Sequence, residues 1–260
     1  MLIILPPDKL AILSAPVLGR DKVFVRRGIH ADGSCFFHAY LRATRKREYS
    51  LASYEARLEM VREVREKLIE GVSRATIAAV GNGALYRILY AAAARALIEK
   101  SNVSEIVGAP LDAIAAFEQA FEHPDTFYLT FVNNLRAQSP SAGSKLIAWC
   151  YDLFLQAEID VISTFKDMLS AEINSECIEY ISRALQVNFC FLQCPGSIGG
   201  AQFYPKVCEI VDKKWSFIVM LWVNDNHYEL VGEMDERKHV SCLFSSDSII
   251  AARIIAAREE

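Results

Sequence analysis

The chain has 260 residues, 52% of them hydrophobic, enough to bury a full core without disulfide or metal support. Its net charge is −4, and no Lys/Arg block interleaves with aromatics, so it carries no electrostatic footprint for nucleic acid. No stretch approaches the roughly 18 apolar residues that a membrane span needs.

Along the chain, Met1–Leu5 is apolar but lacks a basic leader and is cut short by Pro6 and Pro7, so it does not read as a secretory signal. Asp32 and Gly33 then form a turn, and Phe36, Phe37, Tyr40, Leu41 and Thr44 recur at helical spacing. Cys35 therefore falls in the first turn of a helix, where unpaired amides and the positive dipole end favour thiolate over thiol. The backbone amides of Asp32, Gly33, Ser34 and Cys35 could also face a developing oxyanion. Leu51, Tyr54, Leu58, Val61, Val64 and Leu68 mark a helix that Ser50 caps and Gly71 ends.

From about 73 to 185 the pattern is helical. Segments are expected at Ala84–Ile98, Leu111–Phe121, Lys145–Leu169 and Glu176–Leu185, with breaks at Gly81-Asn82-Gly83, Gly108-Ala109-Pro110, His123-Pro124-Asp125 and Ser139–Gly143. The character then changes to aromatic and β-branched runs at Val187–Gln193, Trp215–Val223 and His227–Val231, before a terminal helix within Ser246–Glu260. Helices in the middle and strands at the end make an α+β fold, an α/β sandwich with a small sheet packed by helices.

The seven cysteines (Cys35, Cys150, Cys177, Cys190, Cys194, Cys208, Cys242) are an odd set without Cys-x-x-Cys or His-x-x-x-His spacing. They read as reduced thiols, in a reducing compartment, and not as structural zinc ligands. Cys190 and Cys194 lie in an apolar run and read as core or strand-end residues.

Cys35 needs a base. His227 follows the Asn224-Asp225-Asn226 turn and opens a strand, so His227 and Glu229 share a face while Tyr228 points the other way. A carboxylate beside an imidazole holds its tautomer and stabilises its charged form, which suits His227 to take a thiol proton. His123 and His239 sit in polar turns, while His30 and His38 flank the cysteine too closely to fold back on it easily. Trp222 and Tyr228 read as core or rim aromatics.

Asp32-Gly33-Ser34-Cys35-Phe36-Phe37-His38-Ala39 resembles the nucleophile motif of the ovarian-tumour (OTU) cysteine proteases, which are deubiquitinases. Asn226-His227-Tyr228-Glu229 resembles that family's terminal histidine motif, and Glu176–Gln193 the segment preceding it; the three blocks follow the family order. The resemblance implies a papain-superfamily sheet in a single domain over 1–260. The helical excess at 73–170 would then be an inserted ubiquitin-recognition subdomain, similar to those of bacterial-effector and viral members.

It implies Cys35 as nucleophile, His227 as general base and acid, and no cofactor or metal. The family's histidine-orienting residue is usually Asp or Asn, and this chain has Glu229 there, so Asn224 or Asp225 are alternatives. Asp32 would act in the turn and oxyanion loop. The implied partners are ubiquitin, polyubiquitin chains and ubiquitinated host proteins in the cytosol, that of a host cell for an effector or viral protein. A catalytically inert ubiquitin-binding module and an unrelated cysteine hydrolase share these residues as alternatives.

Overall fold

The computed structural model describes residues 2–100, 143–173, 175–194, 200–204, 210–224 and 227–259. The helix expected at Leu111–Phe121, the breaks at 108–110 and 123–125, positions 139–142 of the last break, and Asp225 lie outside the described residues. The fold is α+β, and the chain divides into two compact units, Gly71–Ser170 and the union of Met1–Glu70 with Ala171–Glu260.

In the larger unit, strands β1 (Leu10–Leu13) and β2 (Val23–Arg27) precede α1 (Cys35–Thr44), α2 (Lys46–Leu51) and α3 (Tyr54–Glu70). After residue 170 come α7 (Ile178–Leu185), β3 (Val187–Gln193), β4 (Gln202–Phe203), β5 (Ser216–Val223), β6 (His227–Met234), β7 (Val240–Ser241), β8 (Leu243–Phe244) and α8 (Ile249–Glu259). The sheet order is β1-β2-β6-β5-β3-β4, with β7 on β6 and β8 on β5. Only β3 and β5 pair in parallel; the other described pairs are antiparallel.

The sheet's period of two divides its core. Val219, Leu221, Val223, Leu192 and Val231 face Ile250, Ala251 and Ile254 of α8 in one cluster. The opposite parity carries Phe189, Phe191 and Tyr228; Phe36 of α1 packs on Phe189 with ring centroids 4.8 Å apart and on Tyr228 at 6.1 Å. Sheet strands buried on both faces explain the near-continuous apolar runs of β3 and β5.

One boundary differs from the sequence pattern. The helix expected from Ser50 is two helices, because Ala52 is extended (ψ 144°). The cap is Ser53, whose Oγ accepts from the Ala56 amide at 3.3 Å, while Ser50 lies inside α2.

The smaller unit contains α4 (Arg74–Ala78), a 3₁₀ turn at Val80–Gly83, α5 (Ala84–Lys100) and α6 (Gly143–Ser170). Ser73 and Thr76 form a reciprocal capping box at the start of α4. Gly81, Asn82 and Gly83 all take positive φ (54°, 52° and 83°), which breaks the helix where the Gly-Asn-Gly triplet indicated. α5 and α6 pack together, and Ala94, Ala157, Val161 and Phe165 are buried within the unit.

Candidate active site

Cys35 is the first residue of α1 and only 3% exposed. The turn before it is pinned by Asp32. One Asp32 oxygen accepts from the Ser34 amide at 3.0 Å, and the other meets His38 Nε2 at 2.9 Å and the Tyr54 hydroxyl at 3.0 Å. Gly33 has φ 78°, the left-handed backbone that this reversal requires and that a side chain would strain. From the other side Arg65 reaches the Gly33 carbonyl at 3.3 Å and the Ser34 Oγ at 3.4 Å, with its guanidinium 4.5 Å from the Phe37 ring centre.

The helix start does not lower the pKa of the Cys35 thiol. Burial pushes the thiol above its ordinary value and outweighs the hydrogen bonds from the backbone of Tyr228 and Phe36 that pull it down; the charges of Glu172 and Asp32 add to the rise. This corrects the expectation drawn from the helix dipole, since desolvation is the larger effect at so enclosed a position. The Tyr228 hydrogen bond also locates the thiol. That amide belongs to the peptide joining His227 to Tyr228, so Cys35 meets β6 next to His227.

His227 opens β6 opposite Val223 and is 2% exposed. Burial lowers its pKa, while the negative charge of Asp32 works against that shift. Its Nε2 is buried and has no hydrogen-bond partner among the described residues. That nitrogen is therefore not bonded to the Cys35 thiol in this structure. Catalytic hydrogen bonds commonly tighten only when substrate is bound.

Glu229 lies on the face shared with His227 and is fully buried, yet its carboxylate makes no hydrogen bond to the histidine. Its Oε1 accepts from the Leu5 amide at 2.7 Å and its Oε2 from Arg26 Nη1 at 3.1 Å. Arg26 Nη1 also donates to the Ile3 carbonyl at 3.0 Å. The competing donors come from the N-terminal segment, which runs against Gly28 so closely that a β-carbon there would collide with the Leu5 and Pro6 carbonyls. Glu229 is thus a buried anchor for that segment. Burial raises its pKa against the opposing pull of Leu5 and Arg26. Of the two alternatives, Asn224 is an exposed turn residue at φ 53° with no hydrogen bond to His227, and Asp225 is outside the described residues.

Of the four turn amides expected to face an oxyanion, that of Ser34 is already committed to Asp32. Asp32, Gly33 and Cys35 retain amides with no acceptor among the described residues.

Residues not singled out from sequence complete the site. His38, wholly buried and one turn after Cys35, shares a hydrogen bond of 2.7 Å between its Nδ1 and the Tyr49 hydroxyl while its Nε2 meets Asp32. Arg57 braces Tyr49 through its carbonyl at 3.0 Å. Burial, helped by the charges of His30 and Arg57, outweighs the charge and hydrogen bond of Asp32 to lower the His38 pKa; Asp32, although burial raises it, is held below its ordinary value by His38, the Ser34 amide and Tyr54. The signal in the sequence was the six-residue step from Asp32 to His38 across a turn and one helical turn, which folds the imidazole back over the aspartate.

Trp222 and Tyr228 form an aromatic group with Tyr204 (4.5 Å from Trp222) at the end of β5 and start of β6. Cys35, Cys177, Cys190, Cys194 and Cys242 are free thiols, with Cys190 in the core. Among the described residues no group of three or more His, Cys, Asp or Glu side chains is placed to hold a metal, and no helix is long and apolar enough to cross a membrane. No protein-family model matches the chain, and no curated protein matches it.

Proposed function

We propose that the chain is a cysteine isopeptidase of the OTU kind that removes ubiquitin or a ubiquitin-like modifier from lysine. The observation that carries this reading is the junction of α1 and β6. A thiol at a helix start lies on the amide of the His227–Tyr228 peptide, beside a buried histidine whose Nε2 has no partner among the described residues.

In the reaction Cys35 Sγ attacks the carbonyl after the modifier's last glycine while His227 takes the thiol proton. His227 then delivers that proton to the departing lysine amine, leaving a thioester that water hydrolyses. The amides of Asp32, Gly33 and Cys35 stabilise the oxyanion.

Protein substrates need about 800 Å² of surface on each partner. We assign modifier recognition to the helical unit, the 73–170 insertion. On α6, Tyr151, Leu155 and Ile159 are 53%, 45% and 58% exposed at four-residue intervals, an apolar stripe on one helix face. Free thiols throughout the described residues favour a reducing cytosol, that of a host cell for an effector or viral protein.

The catalytically inert ubiquitin-binding module is the second reading, favoured by one observation, the raised thiol pKa of Cys35. Incubating purified protein with a panel of isopeptide-linked di-ubiquitins separates the two. The isopeptidase releases mono-ubiquitin from at least one linkage, and Cys35→Ala releases none. Binding without cleavage of any linkage would establish the inert module.

A further inference from the structure

We propose that His38 is a positioning residue for acyl transfer, acting through Asp32 on the turn whose amides receive the oxyanion, with Tyr49 setting its tautomer. The proposal rests on the reading of Cys35 as an acyl-transfer nucleophile.

For a neutral His38 the hydrogen-bond chain has one satisfactory proton arrangement. The Tyr49 hydroxyl has a single proton and His38 Nδ1 lies 2.7 Å from it; Asp32, an acceptor only, faces Nε2 at 2.9 Å. A neutral imidazole with its proton on Nε2 satisfies both contacts. The other tautomer would set a lone pair against a carboxylate. His38 is 0% exposed, so neither contact has water as a substitute.

Asp32 turns this fixed tautomer into geometry. Its Oδ2 is held by His38 and Tyr54, so its Oδ1 has a defined position, and the Ser34 amide is tied to that oxygen. Orienting the Ser34 amide sets the reversal at Gly33 and the peptide that leads into Cys35. Tyr49 is fixed in turn by Arg57, which donates to its carbonyl and lies 4.7 Å from its ring centre. The buried histidine one turn after the nucleophile is therefore no proton carrier for Cys35. It holds the amides where charge develops.

Two reactions at Cys35 separate this role from a general structural one. Acylation by p-nitrophenyl acetate forms a bond from sulfur to the carbonyl carbon, passes through an oxyanion and breaks the ester C–O bond, expelling p-nitrophenolate. Alkylation by iodoacetamide forms a bond from sulfur to CH₂ and expels iodide without any oxyanion. In both, the thiol proton passes through His227 to buffer. Both rates are read on the full chain by peptide mapping at Cys35, with Cys35→Ala as background.

His38→Ala should slow acylation about 100-fold, and Tyr49→Phe about 10-fold, while alkylation stays within about twofold of wild type. His38→Gln, whose amide can donate to Asp32, should recover most of the acylation rate. Where His38→Ala does not fold, Tyr49→Phe and His38→Gln carry the test. Acylation and alkylation falling together, acylation unchanged in the variants, or a wild-type Cys35 that the ester does not acylate would each overturn the proposal. A wild-type protein that cleaves no ubiquitin substrate but acylates in a His38-dependent way would remove the isopeptidase reading and leave this one standing.

Discussion

Two carboxylate and histidine pairs have partners close in sequence around buried histidines, and they behave oppositely. Asp32 and His38, six residues apart across a turn and a helix start, are bonded at 2.9 Å. Glu229 and His227, two apart on one strand face, are not, because both Glu229 oxygens are taken by Leu5 and Arg26. A shared strand face makes contact possible; which donors compete for the carboxylate decides whether it happens. The carboxylate that sequence pointed to is bonded to the N-terminal segment and Arg26, and the one it passed over is bonded to the nucleophile's turn and His38.

The largest effect should come from the reactive pair itself. Cys35→Ala and His227→Ala are each expected to lower kcat for di-ubiquitin cleavage on the order of 10⁴-fold, with the double variant little worse, as for groups acting as one unit. A double variant whose loss is the product of the two singles would separate His227 from Cys35.

The two acids should then part company. Asp32→Ala should cost about 100-fold in kcat with melting temperature only modestly lowered, since it removes the turn's shared acceptor. Glu229→Ala should do the reverse. It leaves Arg26 buried without its counter-charge, a loss of about 3 kcal/mol or more in denaturant unfolding, with kcat lowered no more than about 10-fold. A Glu229→Ala protein that is fully stable and nearly inactive would restore Glu229 as the residue that orients His227.

A smaller effect is expected on the helical unit. Leu155→Glu and Ile159→Glu should raise KM for ubiquitin chains about 5- to 10-fold each, leaving alkylation of Cys35 unchanged. Unaltered KM in both folded variants would remove the α6 stripe from recognition.

The mildest effect concerns pH. Burial lowers the His227 and His38 pKa values, so the acid limb of kcat/KM should lie below the ordinary histidine value of about 6.5. The same shifts act on stability. Between the unfolded pKa and the lower folded one, the unfolded chain binds more protons, so the contribution is intact above about pH 6.5 and is lost as pH falls through that window. Activity rising on a pKa above 7, or stability flat from pH 7 to 5, would contradict this.

Much of the fold was legible because it is periodic. β3 runs over Val187–Gln193 and β6 begins at His227, as the apolar runs indicated, and α1 begins at Cys35 where the turn ends. The strands β1, β2, β4, β7 and β8 were not legible. They have two to five residues each, too few to show a period, and take their form from pairing with distant partners such as Val23 with Met234. The fate of Glu229 was hidden for a related reason, since Leu5 and Arg26 are 224 and 203 residues away from it. His38 was passed over because nearness in sequence looked like an obstacle; a tight turn followed by one helical turn makes that separation a contact. The balance of desolvation against dipole at Cys35 depends on how deeply α1 packs on the sheet, which no local pattern encodes.

The most direct test of the central claim is labelling of the full chain by ubiquitin carrying a C-terminal electrophile, with the adduct mapped by peptide mass spectrometry. The account predicts a single covalent ubiquitin adduct on Cys35, absent from Cys35→Ala and strongly slowed in His227→Ala. An adduct on any other cysteine, or tight ubiquitin binding with no adduct after prolonged incubation, would contradict it.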